Sequence, residues 1–222
     1  MIWHDHSKLV GEHAFLGASK YHWLNYTDDQ MIAKYKSSYT QAVGTYLHEL
    51  AAGLIENHMK LSKSDSKLLT YHLLSHGVPR GVFNVDDLFG NFRNYVNDAI
   101  SYRMSPEQVL YYAPTCFGTA DTISFYQTRV RIHDLKTGMT PAHMEQLLIY
   151  AALFCLEYEN DIKRMNLDLN KLDFELRIYQ SEDVIATNPT LDDIRPIMDK
   201  IVAGVNLVEE IKNRRLNYAV SR

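Results

Sequence analysis

Two strand-like segments joined by a two-residue link constrain the fold of this chain more than any other feature. Residues 116–126 (CFGTADTISFY) and 129–136 (RVRIHDLK) are rich in β-branched and aromatic residues, and the second segment begins by alternating polar and apolar residues. Such alternation is typical of a half-buried strand. With Gln127 and Thr128 as the turn, or a four-residue turn centred on them, the segments form an antiparallel hairpin, although Gln-Thr is unusual turn chemistry.

The register of this hairpin brings two carboxylates together. Asp121 then lies directly opposite Asp134, and opposed residues on one sheet face have Cβ atoms about 4.5–5.5 Å apart. Two like charges so placed destabilise a sheet unless a cation lies between them, and hard divalent cations take carboxylate oxygens as ligands. The alternative is that both acids are exposed and share no role.

Further polar residues lie close to this pair in the sequence. Lys136 follows Asp134 by two positions, so both side chains point to one face of the strand. A solvated ion pair worth ~0–1 kcal/mol is the alternative interpretation of that spacing. Glu107 begins the preceding strand and is a candidate third carboxylate, although it equally suits a strand edge or a helix cap after Ser105 and Pro106.

A helix predicted over residues 41–61 carries His48 four positions after Gly44. A helical side chain covers the turn that precedes it, so a glycine there leaves open space beside the histidine. We therefore regard His48 as a candidate ligand or metal contact, the alternative being a core or surface histidine. Ala52 excludes the zinc-protease pattern of two histidines four residues apart.

The remaining periodicity predicts an α/β protein. Residues 1–40 are irregular with short helical pieces, and Thr140 and Pro141 are suited to cap and begin a helix after the hairpin. The helices are expected over residues 41–61, 62–76, 85–103, 140–160 and about 190–212, and the strands over 107–113, 116–126, 129–136 and 172–180. The order is therefore helices, three strands, helix, strand and helix.

Composition limits the class of protein. The 222 residues suggest one domain: a helical part over about 1–104, core strands and a helix over about 105–180, and a C-terminal helix over about 190–215. Two cysteines, Cys116 and Cys155, exclude a disulfide scaffold and a four-cysteine zinc or iron–sulfur site. No run of about 18 apolar residues and no signal-peptide core is present, so we expect a soluble, cytoplasmic protein without membrane partners.

The candidate residues together resemble a known superfamily. Their order, spacing and strand–strand–helix context over about residues 15–180 are similar to the PD-(D/E)XK nucleases, and most closely to the RecB-like exonucleases found among CRISPR-associated and bacteriophage proteins. The segment LGASKYHWLNY (16–26) resembles the serine-containing segment that opens such domains. The matching motifs are Gly44 with His48, Gly118 with Asp121, Asp134-Leu135-Lys136-Thr137-Gly138, and Gln146 with Tyr150.

The resemblance implies a restriction-endonuclease-like core, in which helices flank a mixed central sheet, and it implies a role for each matching residue. Asp121, Asp134 and His48 would be ligands of one or two Mg2+ or Mn2+ ions, assisted by the Leu135 carbonyl, and Lys136 would be the catalytic lysine. The helix residues Gln146 and Tyr150 would contact DNA. The cysteines that hold an iron–sulfur cluster in many of these relatives are absent, so no such cluster is expected.

The function expected from this resemblance is metal-dependent hydrolysis of DNA, by an exonuclease acting in end processing, recombination or phage DNA metabolism. The alternatives are a structure- or sequence-specific endonuclease on the same fold and a non-catalytic DNA- or protein-binding relative. A net charge of −4 leaves little surface for gripping long duplex, so a homo-oligomer or a recombination partner is expected, in the bacterial host cytoplasm if the protein is phage-encoded. Five cations are candidates to line a DNA channel: Lys60, Lys63, Lys67, Arg129 and Arg131.

Overall fold

The strand-like segments build one five-stranded sheet in a computed structural model of the chain, which describes residues 5–11, 13–138, 143–180 and 183–220. The strands are β1 (Ser105–Ala113), β2 (Cys116–Tyr126), β3 (Arg129–Lys136), β4 (Asp173–Gln180) and β5 (Asp183–Thr187), and helix α5 is Glu145–Arg164. The spatial order is the sequence order; β3 and β4 are parallel, and the other neighbouring pairs are antiparallel. Helix α5 connects β3 to β4, because parallel neighbours need a long crossover.

The predicted hairpin register is confirmed. Strands β2 and β3 are joined by Gln127 and Thr128, and they pair from Tyr126 with Arg129 to Thr122 with His133. Gln127 has a φ of 56°. This value lies in the left-handed region, where residues other than glycine are uncommon. The tight turn therefore forms without a glycine, and the backbone pairs along β2 and β3 that follow it specify the register.

The helices match their predicted positions but several boundaries differ. The remaining helices are α1 (Asp28–Ser38), α2 (Thr40–Glu56), α3 (Ser66–Ser75), α4 (Val85–Ser101) and α6 (Leu191–Val220). Helix α2 ends at Glu56 rather than at residue 61, because His58 has a φ of 53° and Met59 donates its N–H to the Leu54 carbonyl. Arg103 ends α4 in the same left-handed way. Both are Schellman-type ends made without the usual glycine.

One strand and the start of α3 differ from the sequence analysis, and one predicted helix start is not tested. Thr140 and Pro141 lie outside the described residues, and the described part of α5 begins at Glu145. The sequence pattern did not predict strand β5, because its five residues are mostly exposed and carry no alternation. A 3-10 turn over Lys63–Asp65, capped by Ser62, precedes α3 and accounts for the early start predicted for that helix.

Helices cover both faces of the sheet. Adjacent residues of β4 enter different cores: Ile178 packs with α5 and α6, and Tyr179 packs with α2, α3 and α4. Successive side chains on a strand point to opposite faces, so the two cores lie on opposite sides. The predicted class, a mixed α/β sheet flanked by helices, is therefore confirmed. Within the described ranges, no helix has the length and apolar character needed to cross a membrane.

Candidate metal centre

The candidate metal centre lies where the β2–β3 ladder ends. Beyond the pair of Thr122 and His133, the register would bring Asp121 opposite Asp134, as predicted. Instead of continuing the backbone ladder, Asp121 accepts a hydrogen bond at Oδ2 from the Leu135 N–H, at 2.9 Å. The Asp121 carboxylate thus occupies the position that a backbone carbonyl would occupy in a continued ladder. This contact holds the carboxylate oxygens where the paired part of β2 and β3 ends.

The third carboxylate belongs to the same row of the sheet. The pairs on either side of Glu107 place it opposite Asp121, although the two are not themselves paired. Glu107 has a φ of 49°. This is a strained conformation for a residue with a side chain. Such interruptions of a strand re-aim a side chain and are common beside functional sites. The structure therefore brings the candidate Glu107 to the centre, together with Asp121.

Helix α2 supplies the histidine. The Nδ1 atom of His48 lies 3.4 Å from Oδ2 of Asp121, and both side chains are largely covered. One ligand atom each from His48, Glu107 and Asp121 lies within 4.8 Å of the other two. Imidazole and carboxylate groups at this spacing are suited to share one divalent cation. Asp134 does not belong to this set of three.

Asp134 is a buried acid beside the centre. Its side chain is 2% exposed, and Oδ1 accepts a hydrogen bond from Nζ of Lys136 at 3.0 Å. Its second oxygen, Oδ2, is buried and has no hydrogen-bond partner among the described residues. A buried carboxylate oxygen without a partner costs free energy, and a bound cation is a partner that removes this cost. The residues present therefore fit a divalent metal ion.

The charge on Asp121 is costly in the folded protein. Burial, followed by repulsion from Asp134, raises the pKa of its carboxyl to about 6. His48, the Leu135 N–H and Lys136 act against this shift. Crowded acids with raised pKa values are frequent at functional sites, because a cation or proton is needed to neutralise them.

A chain of polar groups extends from Lys136 to α5. Lys136 Nζ donates to Oε1 of Gln146 at 3.0 Å, and Nε2 of Gln146 donates to the Tyr150 hydroxyl at 3.2 Å. Gly118 on β2 makes room for the tyrosine, because a Cβ there would lie 2.9 Å from Cε1 of Tyr150. Hydrogen bonds thus connect Lys136 on β3 with Gln146 and Tyr150 on α5. The absence of a side chain at Gly118 leaves room for the Tyr150 ring.

Gly44 has a second role beside the predicted one. Gly44 and His48 line the same cavity, so the predicted open space beside the histidine is present, and a Cβ at Gly44 would lie 3.1 Å from Oγ1 of Thr137. The glycine therefore lets α2 approach the end of β3. The predicted role of the Leu135 carbonyl stays a prediction, since the contact observed here is made by its N–H.

One residue near the carboxylates was not predicted, and one predicted residue lies in a different network. Tyr95 on α4 is buried, and burial followed by the charge of Asp121 raises its pKa well above the ordinary value. No local sequence pattern indicates that a tyrosine of a distant helix lies by the carboxylates. Arg131, expected beside a DNA channel, instead pairs with Glu175 at 3.3 Å and packs over the Tyr102 ring, so it belongs to a separate network.

Comparison with known proteins gives a family. Residues 13–171 match the model of a family described as Protein of unknown function (DUF2800), and the chain belongs to that family. The match covers most of the N-terminal segment, helix α2 and all three strands that carry the centre. No curated protein and no solved structure matches the chain.

Proposed function

We propose that this DUF2800 protein is a metal-dependent deoxyribonuclease with a PD-(D/E)XK core, acting as an exonuclease. The observation that carries the proposal is the buried, unpartnered Oδ2 of Asp134 beside Asp121, with Lys136 bonded to the other oxygen of the same carboxylate, within the described part of the chain. Two acids and a lysine at one strand end are residues suited to metal-assisted phosphodiester hydrolysis. DNA as the substrate rests on the motif resemblance.

The metal would be Mg2+ or Mn2+, held by Asp121 together with His48 and Glu107, and by Asp134 through its unpartnered Oδ2. When bound, such an ion lowers the pKa of its water and offsets the negative charge that develops on the phosphate. An acidic cavity repels a bare phosphate, so substrate binding there depends on the metal. The polar residues that line the cavity at this position are Thr45, His48, Glu49, Glu56, Glu107 and Asp121.

In this proposal Lys136 is the catalytic lysine. Its Nζ is held between Asp134 Oδ1 and Gln146 Oε1, both at 3.0 Å, and the side chain is 32% exposed. These two acceptors fix the ammonium group and leave one of its three N–H donors for a phosphate oxygen or a water. A fixed charge stabilises a transition state without reorganisation during the reaction. Tyr150 and Gln146 extend the surface along which a strand would lie.

The decisive experiment follows end-labelled linear DNA and covalently closed circular DNA over time, with Mg2+, with Mn2+ and with EDTA. We expect metal-dependent shortening of the linear substrate and no nicking of the circle. Lys136→Ala should lower the rate at least ~100-fold, the magnitude typical for loss of one electrostatic stabiliser. The matched control is Lys163→Ala on the exposed surface of α5, which should cleave at the wild-type rate.

Each remaining outcome favours a different alternative. Linearisation of the circle as fast as linear DNA is shortened would replace the exonuclease with an endonuclease on the same fold. No cleavage of either substrate with any metal, together with retained DNA binding, would reject catalysis and favour a non-catalytic DNA-binding relative. Equal activity of Lys136→Ala and the wild type would reject the assignment of the site.

A further inference from the structure

A second group of potential metal ligands lies between α2 and α3. It consists of Glu49 on α2, His72 on α3 and His76 immediately after α3. One ligand atom of each residue lies within 4.8 Å of the other two, and Nε2 of His76 is 4.0 Å from Oε2 of Glu49. This group shares no ligand with the candidate metal centre.

Each imidazole already has one nitrogen bound to a backbone carbonyl. Nε2 of His72 lies 2.8 Å from the Tyr46 carbonyl, and Nδ1 of His76 lies 2.9 Å from the His72 carbonyl. A carbonyl oxygen only accepts hydrogen bonds, so both of these nitrogens carry the proton in the neutral ring. The other nitrogen of each ring therefore carries the lone pair, and in His76 this is Nε2, the atom that lies 4.0 Å from Oε2 of Glu49. The bound carbonyl fixes the tautomer, as it does for metal-binding histidines.

The rings are also held in place by stacking. His76 stacks on Tyr46 with centroids 4.3 Å apart and an angle of 30°, and the centroids of His72 and His76 are 4.5 Å apart. Two histidines four positions apart, as here, lie on one face of a helix. The imidazoles are thus positioned before any ion binds, and only a small rearrangement remains.

That rearrangement falls on Glu49. Ligands of a tetrahedral zinc ion lie roughly 3.3 Å apart, since each is about 2.0–2.2 Å from the metal. The Glu49 side chain is 64% exposed, so it can rotate to bring its oxygen closer than the present 4.0 Å.

We propose that Glu49, His72 and His76 form a site for a transition-metal ion of the Zn2+, Ni2+ or Co2+ class, and that the ion joins α2 to α3. Imidazole ligands favour these ions, whereas Mg2+ prefers oxygen ligands. Three protein ligands leave a fourth position for water. The site does not depend on the proposed nuclease activity, and it differs from the candidate metal centre in having two imidazole ligands instead of one.

The test is a Zn2+ and Co2+ titration of metal-stripped full-length protein in excess Mg2+, followed by calorimetry and by the Co2+ absorption spectrum. We expect a site that remains in Asp121→Asn, with the spectrum of nitrogen ligands, and a rise in melting temperature on adding Zn2+. His76→Gln should weaken Zn2+ binding by more than ~100-fold, because loss of a direct ligand exceeds the 10–100-fold typical of supporting residues. Glu49→Gln, at an exposed position, should also weaken binding.

Two control variants distinguish this site from the candidate metal centre and from exposed histidines. His143→Gln replaces a histidine that is 80% exposed and should bind Zn2+ like the wild type. Asp121→Asn should also retain Zn2+ binding here, whether or not the protein cleaves DNA. Zn2+ affinity of both His76→Gln and Glu49→Gln equal to that of His143→Gln would overturn the proposal. Zn2+ binding lost in Asp121→Asn but kept in His76→Gln would assign the ion to the candidate metal centre and overturn it equally.

Discussion

Replacement of Asp121 by asparagine should stabilise the metal-free protein, although it removes a proposed ligand. The amide oxygen can still accept the hydrogen bond from the Leu135 N–H, while the charge that burial and Asp134 disfavour is lost. Side chains in crowded functional sites often cost stability in this way. The effect should depend on pH, which distinguishes it from a general change in packing.

The sign and size follow from the raised pKa of Asp121. The carboxyl titrates near 3.8 in the unfolded chain and near 6 in the folded protein, so the folded state binds the proton more tightly. Wild-type stability therefore falls as the pH rises from about 4 to 6, because the slope follows the difference in bound protons. At about 1.36 kcal/mol per pH unit, the variant gains up to about 3 kcal/mol at pH near 8, or roughly 6–12 °C in melting temperature.

The assay is urea unfolding in EDTA of the wild type and the variant, at pH near 4 and near 8. The variant should have the higher free energy of unfolding at pH near 8, and the difference from the wild type should be largely absent at pH near 4. At the lower pH most of Asp121 is protonated in the folded state and much of it in the unfolded chain. The matched control is Asp173→Asn, whose side chain is 62% exposed. An exposed substitution of this kind should change stability by less than about 0.5 kcal/mol at either pH. A variant that is less stable than the wild type at both pH values would refute the reasoning.

Three further predictions concern other parts of the fold. Gly118→Ala should displace the Tyr150 ring, because the added Cβ would approach it at 2.9 Å. The expected cost is about 1–3 kcal/mol by thermal unfolding, and unchanged stability and cleavage would contradict this role for the glycine. Glu175→Gln should cost about 3 kcal/mol in urea unfolding at neutral pH, because it removes the carboxylate that Arg131 and Arg177 share and leaves Arg177 paired with Asp98. An unchanged midpoint would reject this pairing. That loss should shrink as the pH falls from 4.5 toward 2, because the His133 side chain, with Nε2 3.6 Å from Oε1 of Glu175, and the neighbouring Arg177 and Arg131 lower the pKa of Glu175 to about 2. His58 has a φ of 53°, which glycine adopts without strain. His58→Gly should therefore raise the free energy of unfolding by roughly 0.5–1 kcal/mol, and a loss of stability in urea would argue against it.

Boundaries were harder to predict than elements, for a local reason. Helices α2 and α4 end at residues with positive φ, His58 and Arg103, where a glycine is the usual signal. Strand β5 is largely exposed, so no buried face imposes a pattern on its residues. Where side chains do not enter a core, apolar and polar residues need not alternate, and the sequence pattern then does not indicate a strand.

The sequence by itself determined the short-range geometry of the site. Alternation and a two-residue link set the register that brings Asp121 toward Asp134, and the spacing of two puts Lys136 beside Asp134. These relations follow from the period of a strand and from the length of one turn, which neighbouring residues specify. The partnership of Gln146 with Tyr150 follows in the same way from the period of a helix.

Only the tertiary structure decided which distant residues join this pair. His48 reaches Asp121 from another helix, Tyr95 lies near the same carboxylates, and the strained Glu107 meets them across the sheet. The packing of α2 against Thr137 is also a tertiary contact, and it explains the glycine at position 44, where a Cβ would lie close to the threonine hydroxyl. Such contacts depend on how helices pack on the sheet, and packing is set by the fit of whole surfaces, which no short segment of sequence specifies.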